Sequence, residues 1–276
     1  MDRRRKWSNA ILFLITLALA VVFFFPIFFN LMSAFKSNPE IMRDAVAFPK
    51  TFYLESFEYL LTETDFPAAI VNSLLLTLLS ILFMVLIIPM AGYAIERHDR
   101  PWTRFVFVFY LAGMMIPFQA YMIPLFKELK MLGLFGNLSG PIAIYISGSV
   151  GFGCLLYTSF LKGIPREIEE SAEMDGCTRY GIFWRIVFPL LGPCTASMIV
   201  LQGLGIWNDF LMPMLVLPSG EPKTMIVEIF YYVGEFSSRW DMIFAGTTLS
   251  IVPVLIVFVF LQKYFVKGLA SGAIKG

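Results

Sequence analysis

The amino-acid sequence predicts an all-α, polytopic membrane protein with six transmembrane helices. Of its 276 residues, 58% are hydrophobic, and the mean hydropathy is +0.75, whereas soluble domains are about 45–50% apolar. The apolar residues form continuous runs that are long enough to cross a bilayer core of about 30 Å as helices. Strands of a membrane barrel would be shorter and would alternate apolar with polar residues.

Six windows are long and apolar enough to span a membrane. Basic residues precede the first window, as in a signal peptide, but its apolar run is longer than a signal core and no clear A-x-A cleavage site follows. We therefore expect an uncleaved helix there. The six windows are, approximately, 9–31, 68–94, 105–125, 138–161, 194–217 and 242–265.

The distribution of charge predicts the orientation. Most of the 21 Lys and Arg residues lie in the N-terminus, in 97–104, in 162–185 and in the C-terminal tail. Cytoplasmic loops carry more basic residues than external loops, so we expect both termini and these loops on the cytoplasmic side. Neither an internal repeat nor a low-complexity segment divides the chain, and residues 1–276 are predicted to form a single domain.

Several function classes lack their characteristic residues. The net charge of +1 offers no basic surface for nucleic acid, and the three cysteines form neither a disulfide framework nor a zinc-binding pair. The phosphate-binding motif G-x-x-x-x-G-K-[ST] is absent, so we expect no ATPase site on this chain. Two alternatives stay open, although an ion-coupled transporter would ordinarily carry more intramembrane acids or repeats, and a membrane enzyme would need a catalytic constellation.

The most informative segment is the loop between the fourth and fifth windows, residues 162–189. Pro165 favours the first turn of a helix that carries acids near its start, and Gly176 suits a left-handed C-cap. Thr178 can cap a second short helix, which Pro189 is expected to end. Two short helices with exposed apolar residues are typical of a docking surface, and an acidic first helix favours a protein partner over lipid headgroups.

This loop resembles the coupling loop of ABC importer permeases. The family pattern is E-A-A-x-x-x-G, followed after nine residues by I-x-x-P, and the chain matches it at Glu170, Ser171, Ala172, Gly176, Ile186 and Pro189. Ser171 stands where the family usually has alanine, and it is also small. The resemblance implies that these residues, together with Asp175, dock in a cleft of a cytoplasmic ATPase. A solvated acid at a helix start is the alternative interpretation of Glu170.

Other segments extend the resemblance to carbohydrate-uptake permeases, and in particular to the subgroup typified by the G-type subunit of the maltose transporter. The resemblance implies a type I ABC importer permease fold and a permease subunit that imports di- or oligosaccharides. The segments that carry it are 72–73, 91–97, 115–117, 123–126, 132–134, 207–210 and the tail 267–276.

The resemblance also implies an assembly in the bacterial cell membrane. A second permease subunit would form the other half of the pathway, and an extracytoplasmic sugar-binding protein would deliver the substrate. Two ATPase subunits would hold ATP and Mg, so that this chain would bind no cofactor itself and would contact only proteins, substrate and membrane lipid. The tail is expected to insert between the ATPase subunits through Gly268, Gly272 and Lys275, and a frayed terminus is the alternative.

Asp209 is the one ionisable residue within the core of a predicted span. Such residues are functional by default, because an unpartnered charge in the membrane costs about 2.5–3.5 kcal/mol or more. The alternative is a structural anchor that forms hydrogen bonds with neighbouring amides such as Asn208. We favour the anchor, since no basic partner is visible in the sequence.

Overall fold

The computed structural model describes residues 2–98, 100–218, 222–234 and 237–273. Within them the chain is helical and has no strand, which confirms the predicted all-α class. In chain order the helices are α1 (Asp2–Ala34), α2 (Asn38–Arg43), α3 (Glu55–Thr62), α4 (Phe66–Arg97), α5 (Pro101–Met114), α6 (Phe118–Met131), α7 (Ser139–Leu161), α8 (Glu167–Met174), α9 (Arg179–Ile182), α10 (Phe188–Leu190), α11 (Gly192–Trp207), α12 (Leu211–Val216), α13 (Met225–Phe230) and α14 (Trp240–Ala273). A π-helical turn, Phe183–Val187, joins α9 to α10.

The helices belong to two compact units. One unit comprises Met1–Pro67 and Met225–Pro253, and the other comprises Ala68–Thr224 and Val254–Gly276. The sequence predicted one permease domain over 1–276, and that assignment stays a prediction.

In the first unit, α1 packs along α14. The rings of Phe29 and Phe244 meet edge to face with their centroids 5.7 Å apart. The next residue of α1, Asn30, donates a side-chain hydrogen bond of 2.9 Å to the hydroxyl of Thr248, which lies one turn beyond Phe244 on α14. Most other apolar side chains of α1 are exposed, Phe23 at 76%, as expected of a helix that faces lipid.

Two buried charged groups of the first unit, Lys36 and Asp241, have hydrogen-bond partners. The Lys36 ammonium, which is fully buried, donates to the Ala45 carbonyl at 2.9 Å. The Asp241 carboxylate accepts hydrogen bonds from the Ser56 hydroxyl at 3.2 Å and from the Arg239 guanidinium at 3.0 and 3.1 Å. The hydrogen bonds from Arg239 to this carboxylate raise the pKa of the guanidinium. Such pairing offsets the cost of removing each charge from water.

The second unit is built on the close approach of α4, α7 and α11. The buried stripe of α4 repeats every three or four residues, as one helix face does. It includes Ser73, Thr77, Ser80, Met84, Ile88 and Gly92. A Cβ at Gly92 would lie only 2.8 Å from Tyr157 Cβ of α7, and a Cβ at Gly153 would lie 2.9 Å from Met198 Cε of α11. Glycine therefore sets the separation of these helices.

The third predicted span is not one straight helix. α5 and α6 meet at an angle of 107° across Met115–Pro117, and each is 14 residues long, or about 21 Å at 1.5 Å per residue. Pro117 caps α6 in an extended conformation, because its ring and missing N–H do not allow α5 to continue. The prediction of a continuous helix over 105–125 is therefore wrong.

The fifth predicted span is also interrupted. α11 ends at Trp207 and α12 begins at Leu211, so Asn208 and Asp209 lie in a break rather than inside a helix over 194–217 as predicted. The Asn208 side chain donates 2.8 Å to the Leu204 carbonyl, and Asp209 Oδ1 accepts the N–H of Leu211 at 2.9 Å. Short polar side chains that bond the local backbone in this way compete with the helix.

Three helical segments are long and apolar enough to cross a membrane in the described residues, namely Ile11–Ala34, Phe66–Arg97 and Ser139–Leu161. Up to five spans result if each bent pair, α5 with α6 and α9–α10 with α11, is one span, and Trp240–Ile256 is a shorter apolar helix. The count of six spans stays a prediction.

Candidate functional site in the loop 162–189

Residues 162–189, called the docking loop below, contain the helix and turn that the sequence predicts. The helix α8 begins at Glu167 with Arg166 as its N-cap, so Pro165 precedes the first turn instead of lying in it as predicted. α8 ends in a Schellman motif, in which the N–H groups of Gly176 and Cys177 donate at 3.0 Å to the carbonyls of Glu173 and Ala172. Gly176 has a φ of +84°, so its predicted left-handed conformation is confirmed. No atom lies within 4 Å of where its Cβ would be, and the backbone angle alone accounts for the glycine.

The second short helix of the docking loop extends further than predicted. Thr178 caps it, as expected, and its hydroxyl accepts the N–H of Gly181 at 3.2 Å. Pro189 does not end the helix, which continues to Leu190. The reason is the π-helical turn before it, in which the N–H of Phe188 bonds to the Phe183 carbonyl. This wider turn accommodates a proline that cannot donate an i→i−4 hydrogen bond.

The residues that match the coupling pattern divide between an outer and an inner face. Glu170, Ser171 and Asp175 are exposed, and so is Pro189, whereas Ala172 is buried and Ile186 is half-buried. Two large apolar side chains of the same loop are also exposed, Met174 at 85% and Tyr180 at 72%. The outer face therefore combines negative charge with apolar area.

The inner face of the docking loop is joined to the end of α4 by hydrogen bonds from side chains to which the coupling pattern assigns no role. Glu169 accepts a hydrogen bond of 2.6 Å from the Tyr93 hydroxyl and one of 2.7 Å from Arg97 Nε. Arg97 also donates to the Ile164 carbonyl at 3.0 Å, and Arg166 donates to the Glu96 carbonyl at 3.3 Å. We call Tyr93, Arg97, Arg166 and Glu169 the clasp.

Two signals in the sequence point to the clasp. Tyr93 and Arg97 are four residues apart, so they share one face of the last turn of α4. Glu169 lies one residue before Glu170, and adjacent helical residues do not face the same side. If Glu170 faces outward, Glu169 therefore faces another side of α8. What the sequence could not supply is which acid of α8 faces α4, because that depends on how the two helices pack.

Asp209 has a different environment from the one expected. The hydroxyl of Tyr145 on α7 donates to Asp209 Oδ2 at 2.8 Å, and the N–H groups of Leu211 and Met212 donate to Oδ1 at 2.9 and 3.3 Å. The bonds come from a phenol and the backbone, not from the amide of Asn208. The carboxylate thus joins α7 to the start of α12, an arrangement suited to an anchor.

The expected tail contacts fall at the end of α14. This helix includes Gly268 and Gly272 and runs to Ala273, whereas Lys275 lies outside the described residues. Insertion of the tail between ATPase subunits stays a prediction.

Comparison with known proteins identifies the family. Residues 87–271, which include the docking loop, α7 and Asp209, match the family "Binding-protein-dependent transport system inner membrane component". The arabinooligosaccharides transport system permease protein AraQ of Halalkalibacterium halodurans is 34% identical, over 99% of this chain and 100% of that protein. A probable starch degradation products transport system permease protein, AmyC of Thermoanaerobacterium thermosulfurigenes, is 32% identical over 94% of each chain.

The fold has a close counterpart among solved structures. A chain of a bacterial ABC transporter involved in the import of the acidic polysaccharide alginate superposes with a TM-score of 0.81, at 24% identity, over 96% of this chain and 97% of that one. This likeness confirms the predicted type I importer permease fold, and the family match confirms the resemblance found in the coupling pattern. The chain belongs to the family of inner membrane components of binding-protein-dependent transport systems.

Proposed function

We propose that the chain is the permease subunit of an ATP-driven importer of oligosaccharides and that the outer face of the docking loop is its ATPase contact. The observation that supports the proposal is the exposure of acids and large apolar side chains on one short loop inside the family match. An apolar patch rimmed by charge is the usual composition of a protein contact. Because Glu170 and Asp175 are acidic, the ATPase cleft is expected to offer basic residues.

The proposed assembly is the one that the resemblance in the coupling pattern implies. A second permease subunit completes the pathway, two ATPase subunits bind ATP and Mg²⁺ on the cytoplasmic side, and an extracytoplasmic binding protein brings the sugar. Both termini and the docking loop lie in the cytoplasm, as the basic residues favour. The chain itself is a transport component that carries no ATPase site.

The substrate class rests on the relatives. Two of them, at 34% and 32% identity over nearly the whole chain, are named for arabinooligosaccharides and for starch degradation products. Both names refer to products of polysaccharide breakdown, and oligosaccharides are the substrate class that fits both. We therefore propose neutral oligosaccharides, with arabinotriose and maltotriose as the test sugars.

The test compares uptake and ATPase attachment in one strain. Cells that lack the gene are complemented with the wild type, with Glu170→Lys, or with Glu63→Lys, a matched charge reversal at an exposed acid of the predicted outer side. Wild type and Glu63→Lys should accumulate one of the two labelled sugars and should co-purify the ATPase. Glu170→Lys should lose both activities at normal abundance. If Glu170→Lys retained both, or if the wild type took up neither sugar, the proposal would fail.

A further inference from the structure

The docking loop has covalent connections to α7 and α11 but none to α4. Arg97 and Glu169 are 72 positions apart in the chain, so force applied to the loop reaches α4 only through non-covalent contacts. The clasp supplies polar contacts of this kind at the end of α4, beside an apolar cluster that α4 shares with Ala172, Ile182 and Val187 of the loop.

The hydrogen bonds of the clasp run in both directions between α4 and the docking loop. Arg97 of α4 donates to a carbonyl of the loop, and Arg166 of the loop donates to a carbonyl of α4. Glu169 accepts hydrogen bonds from two α4 side chains, Tyr93 and Arg97, one through each of its carboxylate oxygens. Two charged hydrogen bonds with fixed directions restrain rotation as well as separation.

Burial makes this link sensitive to the loss of one partner. The side chains of Arg97 and Glu169 are only 9% and 13% exposed. Removal of one partner from a pair this well shielded leaves the other charge poorly solvated and uncompensated. A surface pair on the same helix would be screened and would contribute little.

The second half of the loop is attached to the same residue of α4. The ring of Tyr93, whose hydroxyl bonds Glu169 of α8, also packs on Phe183 with the centroids 5.1 Å apart. Phe183 belongs to the π-helical turn and is buried. Both short helices of the docking loop therefore hold the last turn of α4.

We infer that Glu169 is the positioning residue that makes α4 move with the docking loop, so that ATP-driven displacement of the loop becomes displacement of a transmembrane helix. The inference rests on the proposed function. Glu170 and Glu169 then have distinct tasks: the exposed acid contacts the ATPase, and its shielded neighbour transmits the movement inward. Loss of Glu169 should leave the ATPase attached and able to hydrolyse ATP, with transport disconnected from hydrolysis.

The test measures sugar transported per ATP hydrolysed by the whole importer in proteoliposomes. The probe is arabinotriose, or maltotriose if that is the sugar that the wild-type complex takes up. We expect Glu169→Ala and the nearly isosteric Glu169→Gln to lower this ratio by about tenfold or more while the ATPase still co-purifies. Glu63→Ala, which removes an exposed acid outside the docking loop, should leave the ratio unchanged.

A charge exchange separates positioning from general damage to the loop. The double variant Arg97→Glu/Glu169→Arg should recover a substantial part of the ratio that each single variant loses, because opposite charges again meet at the end of α4. An unchanged ratio in both Glu169 variants, or a double variant no better than the singles, would overturn the inference. Loss of ATPase attachment in the Glu169 variants would also overturn it, since Glu169 would then act in docking, and the proposed function would still stand.

Discussion

Neighbouring residues of one short helix can have opposite surroundings, and the docking loop depends on this at the residue scale. Glu170 faces outward, whereas Glu169 is shielded between Tyr93 and Arg97. A sequence pattern identifies Glu170, since it stands at a motif position. It does not identify Glu169, because the hydrogen-bond partners of that carboxylate belong to α4, a helix that is distant in the sequence.

Gly176 offers a direct test of the turn. Gly176→Val forces a β-branched residue into a left-handed conformation that costs an ordinary residue about 1–2 kcal/mol, so both short helices should be misplaced. Gly176→Asn is the matched control, because asparagine tolerates this region of φ/ψ space and no atom lies within 4 Å of the Cβ position. Co-purification of the ATPase should be lost with valine and largely kept with asparagine. Equal retention by both variants would contradict a structural need for the turn.

Substitutions at Asp209 test whether its carboxylate is a structural anchor or whether its charge is needed for transport. Asp209→Asn preserves an oxygen for the N–H groups of Leu211 and Met212 and an amide that can bond the Tyr145 hydroxyl, so folding and most uptake should survive. Asp209→Leu leaves these donors unpaired, and the variant should lose about 1–3 kcal/mol of stability. Thermal unfolding in detergent and sugar uptake measure the two effects. Normal abundance without uptake in Asp209→Asn would show that the charge itself is used.

At the scale of elements, long apolar windows gave correct helices, and the errors lie where polar residues or proline interrupt them. The runs at 9–31, 68–94 and 138–161 each correspond to a continuous helix. The breaks at Pro117 and Asn208–Asp209 follow from proline sterics and from caps, and both signals are local. A hydropathy value averaged over a long window hides such single residues, whereas proline and capping residues are themselves signals that a helix ends.

The close packing of α4, α7 and α11 can be tested with two glycines of one helix. A Cβ at Gly153 would meet Ile88 of α4 and Met198 of α11, whereas a Cβ at Gly148 of the same helix would meet no atom within 4 Å. Gly153→Ala should therefore overpack the contact and cost about 1–3 kcal/mol. Gly148→Ala should be neutral or slightly stabilising, since alanine favours the helix. Similar unfolding temperatures for the two variants would contradict this packing.

For the molecule as a whole, docking of a cytoplasmic ATPase requires that the docking loop lie on the cytoplasmic side of the membrane. Only charge asymmetry supports the cytoplasmic side, because side chains and helices are the same in either orientation. Cysteines introduced at Glu63 and at Arg100 should therefore differ in intact cells, with an impermeant reagent reaching the first and not the second. Reversed accessibility would place the docking loop outside.

The natural cysteines allow one measurement to test both the side and the docking. Cys177, next to Gly176, is exposed, whereas Cys154 and Cys194 are buried, so an impermeant maleimide should react with Cys177 alone in folded protein. We expect no labelling in intact cells, labelling in inside-out vesicles stripped of the ATPase, and protection when the ATPase is added back. Labelling from outside, or labelling that added ATPase does not reduce, would contradict the claim that this loop joins the permease to its ATPase.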